Sequence, residues 1–212
     1  YGPKVAHHGH QVYVAWSGPP YYNYGNRTVF VATSTDDGWT WRQPVTTTGT
    51  YPAIVADVNG NLHIAYLGRS SAFDSIIYYT RSTDGGQTFN PPIALDVCSA
   101  DYCSEPDIAL DASGNPYVVW QEQTNVILAR VTIHEDNSVN ITTTIVGTTT
   151  TCSSEPPKVA VSPSGQNVYV VWRCPPYCGP YVRTYFARST DGGDTFEPVS
   201  YTHLRAHETV LD

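Results

Sequence analysis

Four short stretches of the chain carry alternating apolar residues and end on an aromatic: VYVAW at 12–16, LHIAY at 62–66, PYVVW at 116–120 and VYVVW at 168–172. A period of two is the pattern of a strand with one or both faces buried. Each stretch closes a longer repeated unit, which opens on a proline and runs through a short β-branched segment and a turn. The units are PKVAHHGHQVYVAW from Pro3, PAIVADVNGNLHIAY from Pro52, PDIALDASGNPYVVW from Pro106 and PKVAVSPSGQNVYVVW from Pro157, at spacings of 49, 54 and 51 residues. Their turns carry Gly between polar residues (Asn59-Gly60-Asn61, Ser113-Gly114-Asn115, Ser164-Gly165-Gln166). Gly supplies the positive φ that a tight hairpin needs, so each copy is predicted to open with a hairpin of two strands.

A second element follows in phase: STDDGWTW at 34–41, STDGGQTF at 82–89 and STDGGDTF at 189–196, each after a strand-like run (TVFVAT, IIYYTR, YFAR). It reads as the turn of a second hairpin. Its residues, Ser34, Asp36, Gly38 and Trp41, then Ser82, Asp84, Gly86 and Phe89, then Ser189, Asp191, Gly193 and Phe196, have structural chemistry. The hydroxyl and carboxylate bond N–H groups of their own turn, the Gly takes a conformation closed to other residues, and the aromatic ring is expected to be buried against neighbouring strands. The third copy has only strand character around an Asp136-Asn137 turn signal. Four antiparallel strands per roughly 50-residue repeat is the pattern of a β-propeller blade with strand one innermost. The expectation is an all-β chain of four blades, starting near residues 3, 52, 106 and 157.

Composition agrees with strands and turns: of 212 residues 14% are charged, Met is absent, and Gly, Pro and Tyr number 16 each. The formal charge of −8, with Lys4 and Lys158 the two lysines, argues against a nucleic-acid surface. No apolar run approaches the roughly 18 residues of a spanning helix. Five cysteines in so Lys-poor a chain suit a secreted or cell-surface protein, with one Cys left over. The opening at Tyr1 reads as the cut edge of something longer. From about Ser200 the pattern lapses, with charge and His where a buried strand would carry Val or Ile. Residues 200–212 resemble translated sequencing-adapter read-through and are set aside as a non-native tail, which leaves 1–199 as the propeller.

The S-x-D-x-G-x-T-[FW] element resembles the Asp-box, or BNR repeat, of the sialidase-like β-propellers, over residues 1 to 199. The resemblance implies a glycoside hydrolase of the exo-α-sialidase type, needing no cofactor, in which three arginines hold the sugar carboxylate, a Tyr backed by a Glu is the nucleophile and an Asp is acid and base. Such propellers usually have six or more blades, so four leave the active face incomplete, and the Arg-Ile-Pro motif of the first arginine is missing from this sequence. No catalytic residue is therefore assigned. The alternative is a non-catalytic propeller that binds glycans or proteins, or spaces domains on a surface; oligomeric state is left open.

Topology sorts the remaining candidates. Loops from strand two to three and from strand four to the next strand one share one rim, the rim where propellers usually bind. It carries Arg69, Glu122 and Arg173 just after strand two, Glu105 and Glu155 just before strand one, and the aromatic segments Pro19–Tyr24, Asp101-Tyr102, Tyr177 and Tyr181. Arg69 and Arg173 are either carboxylate clamps or solvated strand ends. Glu105 and Glu155 either meet a cation or sugar hydroxyls, or receive loop N–H groups. Cys98 with Cys103, and Cys174 with Cys178, suggest two local disulfides on this rim, with Cys152 unassigned. Arg81, Arg130 and Arg188 recur at one blade position on the opposite rim and read as interblade packing or ion-pair residues. His7, His8 and His10 share that rim without further ligands at metal spacing, and Asp57 to Asn61 imitates a calcium loop but reads as a hairpin turn, so no metal site is assigned.

Overall fold

The computed structural model describes residues 2–18, 27–69, 74–98, 103–134, 136, 138–148, 155–174 and 183–201. Within them every regular element is a strand. Blade one is β1 (Lys4–His8), β2 (Gln11–Gly18), β3 (Thr28–Ser34) and β4 (Val45–Thr48); blade two is β5 (Thr50–Ala56), β6 (Leu62–Arg69), β7 (Ser75–Ser82) and β8 (Ile93–Val97). Blade three is β9 (Asp107–Leu110), β10 (Pro116–Glu122), β11 (Asn125–Ile133) and β12 (Val139–Thr148); blade four is β13 (Glu155–Val161), β14 (Val168–Cys174), β15 (Arg183–Ser189) and β16 (Glu197–Tyr201). Each blade is a separate four-stranded antiparallel meander in chain order. The first strands β1, β5, β9 and β13 lie against one another from blade to blade and form the inner wall. This is four blades of a β-propeller.

The turns follow from local chemistry. Gly60, Gly114 and Gly165 have φ of 80°, 80° and 72°. In blades two and three the residue opening the turn is an aspartate that folds the turn around its carboxylate: Asp57 Oδ1 accepts from the N–H groups of Asn59 and Asn61 at 2.8 Å, and Asp111 Oδ1 from those of Ser113 and Asn115 at 2.9 Å. In the second hairpin, Ser82 Oγ donates to Asp84 at 2.8 Å and accepts from Gly86 N–H at 2.9 Å, while Asp84 accepts from Thr88 N–H at 2.9 Å. Blades one and four repeat this around Ser34 and Asp36 and around Ser189 and Asp191. Blade three turns instead at Asp136, whose carboxylate accepts from Ser138 N–H at 2.9 Å.

Alternation along each second strand sends successive residues to the two faces of its blade, so the core is a set of seams between blades. Tyr13, Ala15, Val29 and Val31 of blade one meet Ile54, Leu62, Ile64 and Tyr66 of blade two. Ala65, Ile77, Tyr79 and Leu95 meet Val118, Trp120, Ala129 and Val131 at the next seam. Tyr117, Val119, Val126 and Leu128 meet Val168, Val170, Trp172 and Ala187 at the third.

Three expectations change. Arg69 and Glu122 are the last residues of β6 and β10, and Arg173 with Cys174 lies within β14, because the second strands run two or three residues past their aromatic. Strand β16 extends to Tyr201, with Ser200 paired to Tyr185 and Tyr201 to Thr184, so the ladder reaches two residues into the segment set aside as a tail. Trp41 is half-exposed, unlike its counterparts Phe89 and Phe196, which pack into seams; no preceding blade among the described residues covers it. Pro19–Tyr24, Asp101, Tyr102, Cys152, Tyr177, Cys178, Tyr181 and 202–212 lie outside the described residues.

Candidate functional site

A cleft of about 300 Å³ opens on the rim where the second-to-third and fourth-to-first connections meet. Arg69 and Glu105, from blades two and three, both line it. With them are Arg27 at the entry to β3, Tyr51 at the start of β5, Ser75 at the start of β7 and Ser104. Two arginines, one glutamate, a tyrosine and four hydroxyl residues, Ser75, Ser104, Thr48 and Thr50, thus line one concave surface, whose remaining lining is Gly, Leu, Cys and Pro. Such a mixture of fixed donors and acceptors over an apolar floor suits a polyhydroxylated ligand.

Three of the lining residues, Ser104, Cys103 and Tyr51, are held from behind. Ser104 N–H donates to the Gln121 carbonyl and Ser104 Oγ accepts from Gln121 N–H, both at 2.9 Å, and Gln121 is itself fully buried. Ser104 then fixes the entry of Glu105. Next to it Cys103 forms a disulfide with Cys98, Cα to Cα 6.3 Å, with both cysteines buried in the seam between blades two and three. Tyr51 has φ of +53°, a left-handed conformation that costs a non-glycine residue free energy and clusters at functional positions. Its N–H donates to Ser17 Oγ at 2.8 Å, so blade one holds the strained residue of blade two at the cleft wall.

The other rim candidates are used differently. Arg173 Nη1 donates to Glu155 Oε1 at 2.7 Å, a pair within blade four where the two residues are also opposite each other in the ladder. Glu155 stands one position earlier in the repeat than Glu105, at the place of Thr50 and Ser104. Neither Arg173 nor Glu155 lines the cleft, although Pro156 does. Glu122 lies opposite Cys103 and beside Asp96, whose pKa is raised by burial and by the Glu122 charge. Tyr177 lies outside the described residues.

On the opposite rim, Arg130 reaches from blade three to the turn of blade four, donating to Gly192 O at 2.8 Å and Asp194 at 2.7 Å. Arg188 pairs with Glu197 at 2.9 Å. His8 Nε2 lies 3.0 Å from the Val58 carbonyl, and His10 Nδ1 lies 2.8 Å from Asp37. Asp57 works as a turn residue: burial opposes its ionisation, but the facing His63 and the amides of Asn61 and Asn59 outweigh this and hold its pKa well below the usual range.

Arg27, Tyr51, Ser75 and Ser104 were not singled out from sequence. One signal was available. Aligning the repeats on their proline puts Tyr51 and Glu105 at the same position, immediately before Pro52 and Pro106. Arg27 and Ser75 likewise share the entry to the third strand, which topology assigns to this rim.

No protein-family model matches the sequence, and neither does any curated protein. Solved structures share the fold at low identity. A xylan β-1,4-xylosidase from Bacillus halodurans C-125 aligns with 94% of this chain and 42% of its own at 16% identity and a TM-score of 0.54. A Dyadobacter fermentans protein of unknown function aligns over 92% and 66% at 17% and 0.65. An intramolecular trans-sialidase from Ruminococcus gnavus, solved with oseltamivir carboxylate, aligns over 94% and 70% at 12% and 0.63. The chain therefore spans less than two thirds of the first two, and its fold resembles that of the xylosidase and trans-sialidase structures.

Proposed function

We propose that the chain is part of a carbohydrate-active propeller of the sialidase-like type, its three Ser-Asp turns being Asp-box repeats and the Arg27–Tyr51–Arg69–Glu105 cleft its glycan site. The observation that carries this reading is the cleft itself. It brings charged and hydroxyl groups from three blades, one with left-handed backbone, onto the channel rim. The fold shared with xylosidase and trans-sialidase structures supports a sugar as the ligand class, and a buried disulfide beside the cleft supports a secreted or cell-surface setting.

Titration calorimetry with xylo-oligosaccharide, arabino-oligosaccharide and sialyllactose tests it. At least one should bind, and Arg69→Ala should weaken that binding by about tenfold or more, since a charge-assisted hydrogen bond contributes roughly 1.5 to 3 kcal/mol. Binding unchanged by both Arg69→Ala and Arg27→Ala, or no binding of any of the three sugars, would sink the proposal.

A further inference from the structure

Among the described residues, three that carry a side chain have left-handed backbone: Asp37, Gln123 and Tyr51, with φ of 58°, 49° and 53°. Two of them close turns. Asp37 stands in the Ser-Asp turn of blade one, where blades two and four carry Gly85 and Gly192, and Gln123 lies in the two-residue loop between the paired Glu122 and Asn125. Tyr51 instead lies inside strand β5, where no turn calls for such a conformation. Pro52 follows it, and a residue ahead of proline is driven toward extended backbone, so the conformation is disfavoured twice.

A bulge does not account for it. The stretch of β5 from Thr50 to Ala53 lies against Leu67 to Ala65 of β6, one residue more than its partner. Blade four repeats this, with Glu155 to Lys158 against Arg173 to Val171. There the position of Tyr51 is taken by Pro156, whose ring forbids a positive φ, so the same bulge closes without a left-handed residue. What sets blade two apart is Ser17 of blade one. Its Oγ accepts from Tyr51 N–H at 2.8 Å and from Thr50 Oγ1 at 3.3 Å. In the next two seams the same pair of positions is Leu67 with Glu105, and Gln121 with Pro156. Leu has no side-chain acceptor and proline no N–H, so neither seam can form this bond.

We infer, on the sugar reading of the cleft, that Ser17 is a positioning residue of that site: its hydroxyl holds Tyr51 left-handed, and this conformation presents Tyr51 to the ligand. Ser17 is not part of the cleft lining and acts through Tyr51, which is. Backbone strain sustained by one hydroxyl makes a two-state element. Without the bond Tyr51 relaxes to the extended backbone that its proline favours, and the cleft loses that part of its wall.

Calorimetry on the full chain with the same three sugars, together with thermal melting, tests this. Ser17→Ala should keep the circular dichroism of the parent and weaken binding by about tenfold, as the left-handed fraction falls to roughly a tenth. Ser17→Thr keeps the hydroxyl and should restore binding. Melting reads the backbone without any ligand. Tyr51→Gly and Tyr51→Ala both lack the ring, and in an ordinary strand the glycine variant is the less stable of such a pair. Here Tyr51→Gly should melt above Tyr51→Ala, and adding Ser17→Ala to each should reverse that order. Binding lost in Arg69→Ala but kept in Ser17→Ala overturns the inference and leaves the sugar site standing. A melting order that Ser17→Ala does not change overturns it too. A parent chain that binds none of the three sugars removes the site and the inference together.

Discussion

Ser82 is buried, and its hydroxyl bonds two groups at once, the Asp84 carboxylate and the Gly86 N–H. Ser82→Ala leaves that N–H unpaired in the interior and should lower stability in urea unfolding by about 1 to 3 kcal/mol, with sugar binding at the opposite rim unchanged. Asp84 is held at a pKa of about 2, first by the Thr88 hydroxyl and then by Thr88 N–H, so its support is present above the unfolded value and lost as pH falls through 2. His63 acts in a higher range. Its Nδ1 meets Tyr79 Oη at 2.8 Å, its Nε2 stands 3.6 Å from Asp57, and burial, reinforced by the Arg81 charge, lowers its pKa despite Asp57. The unfolded state therefore takes up a proton near pH 6.5 that the folded state refuses, and stability falls as pH drops below about 6.5 toward the folded value. The same position carries Tyr in the other three blades, so His63→Tyr should flatten the melting temperature between pH 7 and 5; an unchanged slope would assign the acid sensitivity elsewhere. The serine and aspartate roles were legible in sequence because all their partners lie within four residues. Trp41 was misread for the opposite reason, since its burial depends on a neighbouring blade rather than on its own turn.

Each strand's two faces were legible from alternation alone, because a period of two leaves no freedom once one aromatic is placed. The ends of strands were not. The residue after the aromatic is Ser17, Leu67, Gln121 or Arg173, and whether the ladder continues there depends on what the fourth-to-first connection offers as a partner. In blade three that connection is pinned by the Cys98–Cys103 disulfide and by the two bonds between Ser104 and Gln121. Non-reducing peptide mapping should recover the Cys98–Cys103 link. Replacing both cysteines by Ser releases a short loop, for which chain entropy predicts a loss of about 2 kcal/mol. On the proposed reading it should also weaken sugar binding, because Glu105 is two residues from the bridge. Full stability and full affinity in the double variant would make the disulfide incidental to the cleft.

At the scale of the molecule, a repeated fifty-residue pattern specifies blades and their order, which is why the propeller is legible in the amino-acid sequence. It does not specify which rim residues converge, since that depends on the angle between blades: Arg69 lines one cleft with Arg27 and Glu105, while Arg173 pairs with Glu155. This convergence sets the limit on chemistry. Glycoside hydrolysis needs an acid and a second carboxylate or an equivalent nucleophile on either side of the scissile bond. Among the described residues lining the cleft Glu105 is the one carboxylate, and no Arg-Ile-Pro motif occurs in the sequence. Arg27 and Arg69 can orient a sugar, yet orientation without a proton donor opposite the nucleophile lowers a dissociation constant and leaves the bond intact. The 212-residue chain should therefore bind without turning over a fluorogenic sialoside, with release no faster than that of an Arg27→Ala, Arg69→Ala double variant. Release clearly above that control would mean that Tyr51 and Glu105 suffice as a catalytic pair. In that case a Glu105→Gln variant, which keeps the shape and removes the charge, should abolish release while leaving binding of the intact sugar in place.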